Sequence, residues 1–211
     1  MGSAWSRKQV AIDEAFAANP CDVHAWDLYH VRLLHRVYKD DGYDFGIDEA
    51  ALKDLLGSAL PPAASLAETF WATYAKADGQ DFLYTLELLA ALALQCHGLS
   101  RDKAIFFFEL LDFDEAGSVS YDELAILIST AVGALAKVCS SFRPLKDEAV
   151  DKLADDVYVS ANRDIGSRIT LDDFLKWVEG GLKLNLGDVV ERDTVPKALG
   201  MGEEPGGEGG G

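Results

Sequence analysis

Twelve consecutive residues, 112–123, carry the side chains of this chain that are best suited to binding a cation. Their sequence is DFDEAGSVSYDE, so carboxylates stand near both ends and two serines lie between them. Carboxylate and hydroxyl oxygens are typical ligands of hard divalent cations in proteins. The chain has 36 Asp and Glu residues against 19 Lys and Arg residues, a net charge of -17, which also favours a cation or a basic partner.

Segment 112–123 resembles the calcium-binding loop of EF-hand proteins, and Gly117 stands at loop position 6, where that family turns sharply. The resemblance implies that loop positions 1, 3, 7, 9 and 12 surround one Ca²⁺ ion, with position 7 contributing its backbone carbonyl. These positions hold Asp112, Asp114, Ser118, Ser120 and Glu123. Apolar residues recur at helical spacing on both sides of the segment, as the flanking helices of such a loop require.

Ala116 departs from the family pattern, because it offers no side-chain oxygen at loop position 5. A water molecule would have to take its place, which lowers the expected affinity. Three carboxylates and the glycine turn remain, so we expect a dissociation constant on the order of 10⁻⁶ to 10⁻⁴ M. The alternative is a loop that keeps the EF-hand shape without binding metal.

A second segment, 162–173, also resembles an EF-hand loop, and the resemblance implies five ligand positions. These hold Asn162, Asp164, Arg168 through its backbone carbonyl, Thr170 and Asp173. Ser167 replaces the turn glycine, and the Asp173 side chain is one methylene shorter than glutamate, so we expect a weak site with Mg²⁺ as the alternative ion. The main expected role of this loop is to pair with the first loop through a short strand, Ile169 against Val119.

Two further loops are expected upstream, near residues 40 and 76, where acidic and glycine-rich stretches interrupt the helical pattern. Lys76 places a positive charge where the first carboxylate of segment 76–87 belongs, although Glu87 stands at position 12. Ala51 removes the final carboxylate of the earlier loop. Both loops are therefore expected to be metal-free.

The loop starts near residues 40, 76, 112 and 162 are unevenly spaced, with a longer gap before the last. This spacing resembles the neuronal calcium sensors and their relatives, among them the flagellar calcium-binding proteins of protists. The resemblance implies an all-α fold of four EF-hand motifs, two degenerate and two carboxy-terminal, arranged as two paired-hand lobes. Helices are expected at 23–38, 49–56, 66–74, 86–97, 101–111, 122–138, 146–160 and 171–182.

The predicted organisation has four parts: an amino-terminal segment (1–21), a degenerate EF-hand pair (22–98), a second pair containing the calcium loop (99–183) and a flexible, Gly- and Glu-rich tail (184–211). The first residues match the pattern for N-myristoylation, with Gly2 as the acylated residue and Ser6 at the required position. A Gly-Ser beginning also occurs by chance. One myristoyl chain anchors a protein only marginally, so stable membrane residence would need a second signal.

Several classes of function find no support in the sequence. The negative charge repels phosphate backbones, which argues against nucleic-acid binding. No apolar run approaches the roughly 20 residues needed to span a bilayer. Cys21, Cys96 and Cys139 are widely spaced, which favours reduced thiols in the cytoplasm. No HExxH pair, phosphate-binding glycine loop or serine elbow is present, so we assign no catalytic residue and expect no enzyme activity.

The first functional hypothesis is a calcium-responsive adaptor that docks on a dedicated protein partner, an amphipathic or basic helix. The partner is expected to be a single one, because promiscuous sensors use Met-rich grooves and this chain has only Met1 and Met201. The expected groove includes four aromatic residues, Trp71, Phe82, Phe106 and Phe142.

Two alternatives stay open. One is a structural EF-hand subunit of a larger assembly, light-chain-like and located in the cytoplasm or in a cilium or flagellum, with little or no calcium dependence. It is favoured by the departure of three of the four loops from the calcium-binding pattern. The other alternative is a myristoylated, membrane-associated calcium sensor.

Overall fold

The structure is a computed structural model that describes residues 22–75, 81–138 and 145–180. This part of the chain is mostly helical, which confirms the predicted all-α class. Two short 3-10 helices, Val23–Ala25 and Pro61–Leu66, accompany the α-helices. The α-helices are α1 (Leu28–Asp40), α2 (Glu49–Ala59), α3 (Ala67–Tyr74), α4 (Thr85–Gln95), α5 (Ser100–Glu109), α6 (Tyr121–Val138), α7 (Asp147–Ser160) and α8 (Leu171–Glu179).

Two antiparallel sheets, each of two short strands, join the loops in pairs. The strands are β1 (Gly46–Ile47), which pairs with β2 (Leu83–Tyr84), and β3 (Ser118–Val119), which pairs with β4 (Ile169–Thr170). Val119 lies opposite Ile169, which confirms the predicted pairing, and Ile47 lies opposite Leu83. All four side chains are buried, so each strand pair is also an apolar contact that holds two loops together.

Helix α1 begins at Leu28 and not at the predicted residue 23. The cause is Asp27, whose extended backbone interrupts the helix and whose side chain accepts a hydrogen bond from the Tyr29 N–H at 2.9 Å. His30 completes a reciprocal cap, because its Nδ1 accepts from the Asp27 N–H at 3.0 Å. Such a cap defines a helix start, so the preceding residues form a separate 3-10 turn.

One apolar core runs through both halves of the described chain, and helix α4 packs along helix α6. The Lys137 ammonium lies at this junction, where it donates to the Tyr74 carbonyl at 2.8 Å and is 3.5 Å from the Glu87 carboxylate. Gly133 makes room for that carboxylate, because a Cβ at this position would lie 2.6 Å from Glu87 Oε1. The packing of helix α4 on helix α6 and the ion pair between Glu87 and Lys137 therefore join the two halves.

The expectation that Trp71 and Phe106 line an open groove is wrong for this structure. Both side chains are buried, at 7% and 0% exposure, because helices α3 and α5 turn these rings toward the shared core. Phe82 is 39% exposed and is available to a partner. Phe142 lies outside the described residues.

Cys96 is buried, and burial raises the pKa of its thiol to about 11, so the thiol stays protonated at neutral pH. This agrees with a structural role for Cys96. Predictions that lie outside the described residues concern Gly2, Cys21, Lys76, Cys139, the end of the last helix and the tail after residue 184. Within the described ranges, no helix combines the length and apolar character needed to cross a membrane.

His35 is buried beside aromatic rings, stacked near Tyr38 and edge-on to Phe106. Burial, with smaller contributions from the charges of Lys39 and Arg32, lowers the pKa of this imidazole from 6.5 to about 4. The unfolded chain therefore binds more protons than the folded one between these two values. Stability that is fully present above pH 6.5 is lost as the pH falls toward 4.

Lowering the pH from about 7.5 to about 5 should cost the wild-type chain roughly 2 kcal/mol through His35. His35→Leu removes this titrating group, so its free energy of unfolding should decline less over the same interval. Urea unfolding of both proteins at the two pH values measures the effect, because the carboxylates titrate alike in both. Equal declines would show that His35 is not the source of the pH dependence.

Candidate cation-binding loop

The sharp turn predicted at Gly117 is present between helix α5 and strand β3. Gly117 has a φ of +69°, in the left-handed region that favours glycine, and a Cβ there would have nothing within 4 Å. Glu115 also has a positive φ, +54°, which was not predicted. Together the two residues turn the chain back toward Asp112.

Asp112 accepts the hydrogen bonds that close this turn. Its Oδ1 accepts from the Ala116 N–H and its Oδ2 from the Gly117 N–H, both at 2.9 Å. Asp114 Oδ1 accepts from the same Ala116 N–H at 3.3 Å. Two of the three acidic ligands predicted for a cation therefore gather around one short stretch of backbone, and carboxylate oxygens have lone pairs for further partners.

Ser120 and Glu123 form a reciprocal pair at the start of helix α6. Glu123 Oε2 accepts from the Ser120 N–H at 2.7 Å, and Ser120 Oγ accepts from the Glu123 N–H at 3.3 Å. This capping-box geometry satisfies amides for which the helix has no acceptor of its own. It also keeps the Glu123 carboxylate, at loop position 12, beside the loop.

The Arg168 side chain of the paired loop reaches into segment 112–123. Its Nε donates to Ser118 Oγ at 2.9 Å, and its Nη2 donates to the Ser118 carbonyl oxygen at 2.5 Å. The same Nη2 lies 3.3 Å from Glu123 Oε2 and 3.7 Å from Asp114 Oδ1. One guanidinium group therefore contacts three of the five residues predicted to bind a cation.

The residue types around Arg168 fit a hard divalent cation, since they offer carboxylates, a carbonyl and hydroxyls. Their arrangement differs from a finished metal cage. Within the described residues, no group of three or more His, Cys, Asp or Glu side chains is close enough together to hold a metal ion. The positive charge beside Asp114 and Glu123 in this structure is that of Arg168.

In the second predicted loop, 162–173, neighbouring side chains hold the Asp173 carboxylate. Its Oδ2 accepts from the Thr170 hydroxyl at 2.7 Å and from Arg163 at 3.0 Å. Burial alone would raise the pKa of Asp173, but the hydrogen bonds from Thr170 and the charge of Arg163 outweigh burial and lower it. The hydrogen bonds from Thr170 and the charge of Arg163 therefore stabilise the ionised carboxylate at loop position 12.

The remaining predicted ligands of this loop have other surroundings. Asn162 has a φ of +53°, so this loop turns at its first residue. The Asp164 carbonyl accepts from the Ser167 N–H at 2.8 Å and from the Ser167 hydroxyl at 2.6 Å. A ligand role for the Arg168 carbonyl stays a prediction, whereas its side chain lies in the first loop.

The acid at position 12 of segment 76–87 contacts helix α6. Glu87 lies against Gly133 of helix α6 and 3.5 Å from Lys137. In the earliest loop, Asp48 caps helix α2 by accepting from the Ala51 N–H at 2.8 Å. These two acids therefore contribute to helix packing and capping.

The Arg168 contact was not predicted, although the predicted strand pairing contained a signal for it. Val119 lies opposite Ile169 in an antiparallel pair, and continuing this register by one residue places residue 168 near residue 120. A long basic side chain at that place is adjacent to the acids of the neighbouring loop. A search for oxygen ligands alone does not predict this contact between Arg168 and the neighbouring loop.

No protein-family model matches this chain, and no curated protein matches it either.

Gly117→Ala should destabilise the protein by about 1 kcal/mol, because alanine would have to adopt a left-handed backbone. Gly166→Ala is the matched control, since Gly166 lies in the paired loop, has equally open space around it and has no left-handed φ. We expect a change under about 0.5 kcal/mol there. Urea unfolding in a chelator measures both variants, and equal losses would contradict a special role for the turn at Gly117.

Proposed function

We propose that this chain is an EF-hand protein that binds one Ca²⁺ ion in loop 112–123 and docks on a dedicated protein partner. The observation that carries the proposal is the convergence of the Asp114 carboxylate, the Ser118 carbonyl and the Glu123 carboxylate on one positively charged group. That group is the Arg168 guanidinium. Oxygens that surround a guanidinium cation are also suited to surround a metal cation. Bound Ca²⁺ would place two positive charges there, where the guanidinium places one.

Four helix–loop–helix units support the EF-hand part of the proposal. Helices α1 and α2, α3 and α4, α5 and α6, and α7 and α8 flank one strand each, and the strands pair two by two. The buried residue of each strand stands at position 8 of a predicted loop; these residues are Ile47, Leu83, Val119 and Ile169. Four such motifs in two pairs are what the resemblance implies.

Two exposed aromatic pairs support the docking part of the proposal. Phe45 and Phe113 meet edge to face with their ring centroids 5.7 Å apart, and Phe82 and Tyr84 do so at 5.0 Å. All four rings are exposed, Phe45 most of all at 59%. Exposed aromatic rings beside acidic loops suit a partner with apolar and basic residues. Phe113 belongs to loop 112–123, so such a partner would contact the calcium loop directly.

A structural subunit with little or no calcium dependence is the second candidate, and the ion pairs of the loops favour it. The acids at position 12 of three predicted loops each have a basic partner within the protein. These pairs are Glu87 with Lys137, Glu123 with Arg168, and Asp173 with Arg163. Such pairs would keep the loops folded without metal. The protein could then stay bound to a partner protein whether or not calcium is present.

The membrane-associated alternative depends on acylation of Gly2, which lies outside the described residues. Intact-mass spectrometry of the protein purified from its source tests it. An unmodified amino terminus would remove this alternative.

Calorimetric titration of the full chain with CaCl₂ should show about one site, with a dissociation constant on the order of 10⁻⁶ to 10⁻⁴ M. Glu123→Gln should weaken binding by roughly tenfold or more, because it removes the carboxylate at loop position 12. Asp122→Asn is the matched control, since it removes the same charge from the neighbouring exposed residue. It should bind within about threefold of wild type, because exposed charges are screened by salt.

An absence of binding by the wild type at millimolar CaCl₂ would reject the calcium proposal. An equal loss of Ca²⁺ affinity in Glu123→Gln and Asp122→Asn would show that binding depends only on the net charge of the protein. Loop position 12 would then have no ligand role. The calcium-independent subunit predicts a thermal unfolding midpoint that is the same in EGTA and in CaCl₂.

A further inference from the structure

We propose that the Arg168 side chain is a built-in counter-cation that substitutes for the divalent ion in loop 112–123 and must withdraw when the ion binds. The inference rests on the proposed function and adds a regulation of the same site. Its basis is that the Arg168 guanidinium contacts the residues at loop positions 3, 7 and 12, which are Asp114, Ser118 and Glu123.

The strand register places Arg168 where it can compete. Val119 and Ile169 are fully buried opposite each other, so the backbone next to Ile169 is held beside the first loop. From there the guanidinium reaches the Ser118 carbonyl at 2.5 Å and the Ser118 hydroxyl at 2.9 Å. A planar guanidinium has five N–H donors, so one side chain can satisfy several oxygens that a metal ion would otherwise bind.

The ion pairs of Arg168 lie at the surface, so an external cation can displace them. The Arg168 side chain is 42% exposed and Asp114 is 61% exposed, so water and salt screen their attraction. A withdrawn guanidinium can be hydrated at once, because it already lies at the surface. Repulsion between the guanidinium and a divalent cation at the same oxygens excludes simultaneous occupancy.

This competition gives two effects of opposite sign when Arg168 is replaced. Without its positive charge, Asp112, Asp114 and Glu123 repel one another, so the ion-free protein should become less stable. The same uncompensated carboxylates should bind Ca²⁺ more tightly, by roughly tenfold for the loss of one nearby charge. If the role of Arg168 were purely structural, its replacement would instead lower both the stability of the protein and its affinity for Ca²⁺.

Arg163 provides the matched control for Arg168. Both arginines belong to segment 162–173, and both side chains are 42% exposed. Arg163 contacts Asp173 of its own loop at 3.0 Å, whereas Arg168 contacts the neighbouring loop. Arg168→Gln and Arg163→Gln therefore change the net charge equally. They differ in the loop whose carboxylate loses its arginine, which is loop 112–123 for Arg168 and loop 162–173 for Arg163.

Calorimetry with CaCl₂ on the full chain, combined with urea unfolding in EGTA, tests the inference. Arg168→Gln should bind Ca²⁺ roughly tenfold more tightly than wild type and unfold at a lower urea concentration in EGTA. Arg163→Gln should bind Ca²⁺ within about threefold of wild type. An unchanged or weaker affinity of Arg168→Gln, or an equal gain in both variants, would overturn the inference.

The two proposals fail in different ways in this experiment. Binding of Ca²⁺ by wild type together with no gain in Arg168→Gln overturns the competition and leaves the calcium function intact. Binding by Arg168→Gln but not by wild type supports the competition and rejects calcium binding by the natural chain. No binding by either protein overturns both proposals.

A second measurement follows the guanidinium itself. The Arg168 Nε–H donates to Ser118 Oγ at 2.9 Å, so its exchange with solvent should be slowed in EGTA. Addition of CaCl₂ should speed this exchange in wild type, as observed by ¹⁵N-detected NMR. Protection that persists while Ca²⁺ is bound would show that Arg168 does not withdraw, and would overturn the inference.

Discussion

The pairing of Val119 with Ile169 is the interaction on which the candidate site depends. Both side chains are fully buried, and each belongs to a strand of only two residues. Strands of this length do not persist alone, so burial of the two side chains in the core stabilises the pair. Helix α6 begins two residues after Val119 and helix α8 begins two residues after Ile169, so the same contact orients the segments that carry Glu123 and Asp173.

Charge pairing around the loops follows from the composition of the chain. With a net charge of -17, carboxylates crowd the surface, and the few basic side chains lower the repulsion where several acids meet. Arg168 does so at Asp114 and Glu123, and Lys39 lies 3.0 Å from Glu115 on the outside of the same loop. Each exposed ion pair contributes little to stability, so the acids of this loop remain available to an external cation.

Much of the fold was predictable because helical periodicity and turn chemistry are local. The apolar spacing predicted most helices, and Gly117 predicted the left-handed turn. The start of α1 was missed because the Asp27 and His30 cap divides a segment whose apolar pattern is continuous. The burial of Trp71 and Phe106 was also missed, since an apolar helix face has the same pattern whether a neighbouring helix or a partner protein covers it.

By itself, the sequence determined most of the helices, the turn at Gly117 and the pairing of Val119 with Ile169, because each depends on residue types within one short segment or at matching positions of two loops. Only the tertiary structure decided that Arg168 lies among the oxygens of a loop 50 positions away and that Glu87 faces Lys137. The physical reason is that long charged side chains have many rotamers. They settle on whichever opposite charge the packing of other elements brings within reach.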